Sequence, residues 1–421
     1  MPRRVSALAF SAVATALAFA CSDVPTATSP SADGDAGAPD PSETDAGSDS
    51  AATKDAEVAI GCTEPAAGAS PSDPFRRARA ASDLPDDAPG EYQIHLAYVE
   101  PGDRSPEARL DENGAIRRSV TAWNAWLAAR LGGPKLRIDT CKGVLDVTHV
   151  KLPANVTEAA MAQGTGGLQP GGPSWIRDRI EDLLAPTFND PKKITLAFYD
   201  GLAFGSCAQA PLPPGPGRMA VVYVGGIYAS SYLTAAAPAG ATQLSVPTPS
   251  STGLRTTAFA AKLGTESVSV TSVSGTTVTL AAPLAAAHPA GELLVANDRA
   301  PDCRQNPYSS DGAALGYADY TGVHEMLHAL GIVASDAKFH AAAYPGHLTK
   351  ASAGGTNDLM FQGPEAWTCA SGIHASPAAS PCVLDPGHTS YVNLAGAPGV
   401  DLAKSVFLTP TPAGALPPPG W

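Results

Sequence analysis

Charged side chains are scarce in this chain, and basic ones are scarcer than acidic ones. Only 16% of the 421 residues are charged, and 27 Lys and Arg stand against 40 Asp and Glu, which gives a formal net charge of −13. This balance gives no electrostatic attraction to phosphate backbones, and no cluster of Lys and Arg offsets it. We therefore expect no nucleic acid among the partners of this protein.

Long hydrophobic runs are also missing after residue 20, since none approaches the roughly 20 residues needed to span a bilayer. Residues 1–20 combine a basic start at Arg3 and Arg4 with an apolar centre and small residues at the end, as a secretory signal peptide does. Cys21 follows directly and resembles the lipid-modified cysteine of bacterial lipoproteins, although Ala18 stands where a Leu is usual. We predict an extracytoplasmic protein held on a bacterial cell envelope through lipid on Cys21, with plain secretion as the alternative.

Large apolar side chains are almost absent from residues 21–74, which are rich in Ser, Ala, Asp, Pro and Gly. Such a segment buries too little apolar area to offset the entropy lost on ordering. We predict that it is a disordered acidic tether between the lipid anchor and a folded part.

Cysteine is limited to seven residues, so that six remain if Cys21 carries lipid. An even number in a chain sent to an oxidising compartment predicts up to three disulfides. Cys369 with Cys382 is the pair we favour first, and Cys207 with Cys303 the second.

Hydrophobic periodicity from residue 75 onward predicts an α+β domain. Strands are expected at residues 91–99, 135–139, 144–152, 194–199 and 219–224, and helices at 114–131 and 175–184. Residues 236–296 differ in composition, being rich in Ser, Thr, Val, Ala and Gly with short alternating runs and a turn at Gly275. We interpret them as a small all-β module, an inert spacer rather than a glycan-binding unit, inserted into a main domain of residues 75–235 and 297–421.

The segment His324-Glu325-Met326-Leu327-His328 carries the clearest chemical signal. Chance would produce this spacing about 0.01 times in a chain of this length with 9 His. Positions four apart lie on one helix face, so both imidazoles can reach one metal ion while Glu325 lies beside it. The motif predicts a Zn²⁺ site in which Glu325 takes a proton from a water activated by the metal.

Gly331 and the segment Asp358-Leu359-Met360 extend this motif, which then resembles the metzincin clan of zinc endopeptidases. The resemblance covers roughly residues 91–361 without the β module. It implies a zincin-like catalytic domain with a mixed sheet and an active-site helix, a sharp turn at Gly331, and Met360 as an apolar floor under the metal. It also implies a protein or peptide substrate.

The third metal ligand departs from that clan, which usually places it three residues after the Gly, where this chain has Ala334. The candidates are His347, His340 and Asp336. We favour His347, because the Pro-Gly turn before it can present a side chain sharply, and keep His340 as the main alternative.

Two further residues bear on this site. Glu365 would be the third ligand of a gluzincin, but that assignment leaves Gly331 and Met360 unexplained. Gln362 stands where some metzincins carry a Tyr near the zinc, so stabilisation of the transition state is expected from the metal alone or from another tyrosine such as Tyr391.

The remaining histidines are not expected to bind the metal. His95 and His149 alternate with strand residues and are predicted at surface or edge positions, and the others are predicted in the module or in loops: His288, His374 and His388. Asp385 and Asp401 are candidate Ca²⁺ ligands, although turn chemistry explains them better.

Taken together, these residues predict an extracytoplasmic zinc endopeptidase. Two other classes remain open, namely a surface binding or adhesion lipoprotein with an idle peptidase-like domain, and a zinc amidase acting on a non-protein substrate. The intact set of His324, Glu325 and His328 argues against the idle form, since a degenerate site would be expected to lose one of them.

Overall fold

The computed structural model of the chain describes residues 62, 65–66, 73–103, 109–163, 175–201, 207–211, 218–224, 228–246, 257–299, 312–370, 372–396 and 398–421. The predicted signal peptide, Cys21 and most of the predicted tether lie outside the described residues. No helix of the described part is both long and apolar enough to span a bilayer.

A mixed sheet and three helices occupy the first part of the chain. Their bounds are β1 (Gln93–Glu100), α1 (Ala115–Leu131), β2 (Lys135–Leu136), β3 (Thr140–Cys141), β4 (Val144–Leu145), β5 (Val147–Lys151), α2 (Glu158–Gln163), α3 (Trp175–Leu184), β6 (Lys193–Tyr199), β7 (Ala208–Gln209) and β8 (Met219–Tyr223).

The strands of this mixed sheet follow the order β5-β1-β6-β8-β7, with the first four parallel and β7 antiparallel to β8. All eight residues of β1 are buried, as expected where both faces of a parallel sheet are covered. The combination of a mixed sheet with few helices confirms the predicted α+β fold.

Helix α1 covers one face of the sheet. Its three-to-four-residue apolar spacing buries Trp123 and Trp126 completely. Gly132 ends the helix in a left-handed conformation, with φ 74°. Asn124 ties the helix to β2, because its side chain donates to Leu136 O at 2.8 Å and accepts from Leu136 N at 2.9 Å. The opposite face of the sheet packs against α2 and α3 through Met161, Ile176 and Ile180.

A second, antiparallel sheet interrupts the main domain. It contains β9 (Tyr228–Tyr232), β10 (Gln243–Ser245), β11 (Phe259–Leu263), β12 (Glu266–Ser274), β13 (Thr277–Leu280) and β14 (Leu293–Arg299), in the order β10-β13-β12-β11-β14-β9. The sheet has its own apolar core. The predicted bounds of 236–296 were too narrow, because β9 begins at Tyr228 and pairs with the far end of the module through β14.

After this module come α4 (Tyr317–Ala329), β15 (Leu408–Thr409) and three short 3₁₀ helices at Gly355–Asn357, Pro377–Ala379 and Leu402–Lys404. Helix α4 packs on the same face of the mixed sheet as α1. β15 pairs with β2 and joins the C-terminal part to the first part of the chain.

One disulfide lies within the main domain, and another attaches Cys62, near the end of the predicted tether, to that domain. The predicted pair Cys369–Cys382 is confirmed, and Cys62 is bonded to Cys141. Cys207 is also disulfide-bonded, but its predicted partner Cys303 lies outside the described residues.

His95 corrects one sequence prediction. It lies on β1 inside the sheet and is only 1% exposed, so the predicted surface or edge position was wrong. The polar ring is tolerated there because Asp139 and Thr148 lie within hydrogen-bond distance of its two nitrogens. His149, by contrast, lies half-buried on β5, an edge strand of the sheet.

Candidate metal centre

Helix α4 carries the first two histidines of the site. Its N-terminus is capped by Asp319, whose Oδ2 accepts from Gly316 N at 2.8 Å. His324 and His328 are four residues apart and both buried, so their rings share one side of the helix. Gly331 then turns the chain with φ 75°, a backbone conformation that favours glycine.

The loop after α4 brings a third histidine to the same place. His347 follows Gly346, which has φ 80°, and its backbone N–H donates to Tyr344 O at 3.1 Å. Leu348 N donates to Met360 O at 2.8 Å, which ties this loop to the later Asp-Leu-Met turn. His347 is therefore held between a tight turn and a second backbone segment.

Three imidazole nitrogens form a nearly equilateral triangle. The Nε2 atoms of His324 and His328 are 3.0 Å apart, and the Nε2 atom of His347 lies 3.1 and 3.2 Å from them, respectively. A tetrahedral zinc ion with Zn–N bonds of about 2.0–2.1 Å keeps its nitrogen ligands about 3.3 Å apart. The three nitrogens lie slightly closer together than this, and the side chains form a group that could hold a metal ion.

Hydrogen bonds on the outer side of the rings fix their orientation. His324 Nδ1 lies 2.6 Å from Leu359 O and His347 Nδ1 lies 2.9 Å from Pro345 O. A carbonyl oxygen only accepts, so both rings carry their proton on Nδ1 and direct the Nε2 lone pair inward. Burial lowers the pKa of His324 to about 4 and that of His347 to about 3, and it lowers the pKa of His328 well below its usual value. The triangle therefore consists of neutral imidazoles.

Met360 is fully buried in the turn that lies against these histidines. Phe361 N donates to Asp358 O at 3.1 Å, and Met360 N donates to Asp358 Oδ1 at 2.9 Å. Because Leu359 O in the same turn accepts from His324, the turn is in direct contact with the site. The role of Met360 as an apolar floor under a metal ion stays a prediction.

Glu325 lies on α4 next to His324 and keeps part of its side chain exposed. Burial of the carboxyl group raises the pKa of Glu325 to about 8, while the charge of Arg177 and the backbone amide of Ala210 oppose this shift. Ala210 directly follows β7, so the edge of the mixed sheet lies beside Glu325.

Three neighbours of the site were missed by sequence reasoning. Arg177 and Ala210 belong to segments distant in the chain and carry no motif. The ring of Trp367 lies 5.3 Å from that of His324, between centroids, and its Nε1 donates to Asp358 O at 3.0 Å. In the sequence, Trp367 stands alone in a loop, and nothing there indicates that it lies beside His324.

The alternative ligands lie elsewhere. His340 Nε2 accepts from Gly346 N at 3.3 Å, so it supports the turn before His347 instead of joining the triangle. Asp336 is exposed, and Glu365 is exposed and paired with Lys350 at 3.2 Å. None of the three belongs to the group of possible metal ligands around His324.

Tyr391 does not take the position suggested for it. It is fully buried, and its hydroxyl group donates to Asp358 Oδ1 at 2.7 Å beneath the Met360 turn. Burial raises the pKa of Asp358 to about 7. Because the hydroxyl proton of Tyr391 is already donated to Asp358, Tyr391 supports the turn and has no hydroxyl proton to offer a substrate.

The candidate calcium ligands act in turns. Asp385 Oδ2 accepts from the backbone amides of Ser390, Tyr391 and Val392 at 2.9, 2.8 and 3.0 Å, respectively. Asp401 likewise accepts from three backbone amides. These contacts support the turn interpretation of both residues.

Comparisons of the chain with protein families, curated proteins and solved structures found no match.

Proposed function

We propose that this protein is an extracytoplasmic zinc endopeptidase with a zincin-like catalytic domain of the metzincin type. The observation that carries the proposal is the triangle of Nε2 atoms from His324, His328 and His347, with Glu325 on the same helix. Three inward-facing neutral imidazoles suit Zn²⁺ and leave a fourth position for water or substrate.

Each residue has a distinct part in the proposed reaction. A zinc ion bound by the three histidines would supply a water of lowered pKa and polarise the substrate carbonyl. In its ionised form, which a zinc ion beside it would favour against the raised pKa of the carboxyl group, Glu325 accepts the proton of the attacking water and returns it to the leaving amine. Leu359 O and Pro345 O hold two of the rings in the required tautomer.

The edge of the mixed sheet favours a peptide substrate over a small amide. β7 is the last strand of this sheet in the described part, and Ala210 lies beside Glu325. β7 itself is buried, whereas Ala210 is half-buried, and an extended peptide can pair with a sheet edge there through backbone hydrogen bonds. Such pairing would place a carbonyl group of the peptide backbone next to the catalytic residues. A non-protein amide would not need a sheet edge to bind.

Metal removal tests the proposal. We expect the purified chain to hydrolyse an unfolded protein substrate, to lose this activity in a chelator, and to regain it with Zn²⁺. His324→Ala should show no recovery, because two imidazoles cannot complete the site. Hydrolysis that persists in the chelator would contradict the proposal. A zinc-loaded chain that cleaves only cell-wall or acyl amides would favour the amidase alternative.

The location is a separate part of the proposal. Disulfides are typical of chains in oxidising compartments, and the signal-like segment supports export. We expect Cys21→Ser to move the protein from the membrane fraction into the medium, because the thiol is the site of lipid attachment. Fractionation followed by immunoblotting would measure this, and an unchanged distribution would favour plain secretion.

A further inference from the structure

A second group of possible metal ligands lies outside the three-histidine site. It consists of Asp83, His95, Asp139 and Asp146, whose ligand atoms all lie within 4.8 Å of one another. The last three are at most 2% exposed, whereas Asp83 is exposed. The fold brings together a segment before β1, β1 itself and the two residues that flank the β3–β4 hairpin.

Lys193 is the cation in direct contact with these carboxylates. Lys193 Nζ lies 2.9 Å from Asp83, 2.7 Å from Asp86 and 2.8 Å from Asp139. One ammonium group thus pairs with three carboxylates, whereas the charge of Arg117 acts on Asp146 without an ion pair between them. A buried carboxylate is costly unless a cation or hydrogen-bond donors compensate it.

Two buried carboxylate oxygens of this group have no hydrogen-bond partner among the described residues. Asp146 Oδ2 accepts from Leu84 N at 2.8 Å, but Asp146 Oδ1 has no hydrogen-bond partner. Asp139 Oδ1 has none either.

His95 can serve as the nitrogen ligand. Its Nε2 lies 3.1 Å from Thr148 Oγ1, and the hydroxyl oxygen can accept the Nε2 proton. In that tautomer the Nδ1 lone pair faces Asp139 Oδ2 at 2.9 Å and Asp83 Oδ1 at 3.4 Å. In the other tautomer Nδ1–H would donate to Asp139 Oδ2 and Nε2 would accept from the Thr148 hydroxyl group, so only the first tautomer offers a lone pair to an ion.

We propose that Asp83, His95, Asp139 and Asp146 form a second, structural site for a divalent transition-metal ion such as Zn²⁺ or Mn²⁺. The imidazole favours these ions over Ca²⁺ and Mg²⁺. Exposed Asp83 gives the ion access from solvent. A bound ion would cross-link the segment before β1, the central part of the sheet and the hairpin that carries Cys141.

Metal content tests this site independently of the proposed function. The full chain with both His324→Ala and His328→Ala lacks the three-histidine site. We expect this variant to retain about one Zn²⁺ per chain after reconstitution and gel filtration. Adding Asp146→Asn should remove this ion, because the amide keeps the bond from Leu84 N but loses the charge. Added Zn²⁺ or Mn²⁺ should raise the melting temperature only in the chain that retains Asp146.

Asp401→Asn is the matched control, since it makes the same change at a carboxylate that only caps turns. If Asp146→Asn does not fold, Asp83→Asn at the exposed ligand should still weaken metal affinity at least tenfold. No retained metal and no thermal shift in the chain without the three-histidine site would overturn the proposal. The cluster would then be held by Lys193 and by a hydrogen bond between His95 and Asp139.

Discussion

Glu325→Gln is expected to keep the metal and lose peptide hydrolysis, with kcat reduced about 10²- to 10⁴-fold. The amide has nearly the same shape as the carboxylate, so the packing of α4 and the three-histidine triangle should persist. It cannot accept a proton from water, and the leaving amine then receives none. Metal content and turnover of an unfolded protein substrate, measured on the same preparation, check both parts of this prediction.

Glu365→Gln is a suitable control for this experiment. Glu365 is exposed, and its ion pair in the structure is with Lys350, so its replacement should leave both metal and turnover unchanged. Undiminished turnover in Glu325→Gln would assign the proton transfer to another group. Loss of metal together with activity would instead show that Glu325 has a structural role in the site.

His347→Ala is expected to cut zinc affinity by more than 100-fold and to abolish hydrolysis. Loss of an outer hydrogen-bond partner of a metal ligand already costs 10- to 100-fold, and removal of the ligand itself leaves only two imidazoles. Competition with a chromophoric chelator measures the affinity. His340→Ala should lose only a few-fold, because His340 accepts a single bond from Gly346 N and acts on the turn alone.

The pattern of the two variants distinguishes the ligand assignments. A severe loss in His340→Ala with little change in His347→Ala would identify His340 as the ligand. Little change in both would return Asp336 or Glu365 to consideration, against their exposure in the structure.

Local signals in the sequence were sufficient to predict much of the secondary structure of the main domain. The apolar spacing in residues 114–131 predicted α1 because one stripe of the helix is buried, and the observed helix ends at Leu131, where the prediction ended it. The four-residue spacing of His324 and His328 placed both rings on one face, since that relation depends only on helix geometry. The short separation of Cys369 and Cys382 likewise pointed to their disulfide.

Contacts between segments that are distant in the sequence could not be predicted from such local signals. Strand β2 is shorter than predicted, because the chain leaves the antiparallel pairing with β15 after two residues. The buried position of His95 depends on Asp139 and Thr148, which lie far away in the sequence. For the third histidine, the sequence offered several candidates, and only the folded loop showed that His347 lies with the other two.

The pairing of β9 with β14 has a consequence for how the chain folds. β8 ends at Tyr223 and α4 begins at Tyr317, yet these two elements pack together in the main domain. Within the intervening module Tyr228 pairs with Arg299, so its two ends lie side by side. Closing a loop costs entropy that grows with its length, and distant contacts slow folding. Once the module has folded, only residues 224–227 and 300–316 separate β8 from α4 outside it, instead of the whole of 224–316. The insertion then adds less to the effective contact order of the domain that carries the histidines than its length suggests.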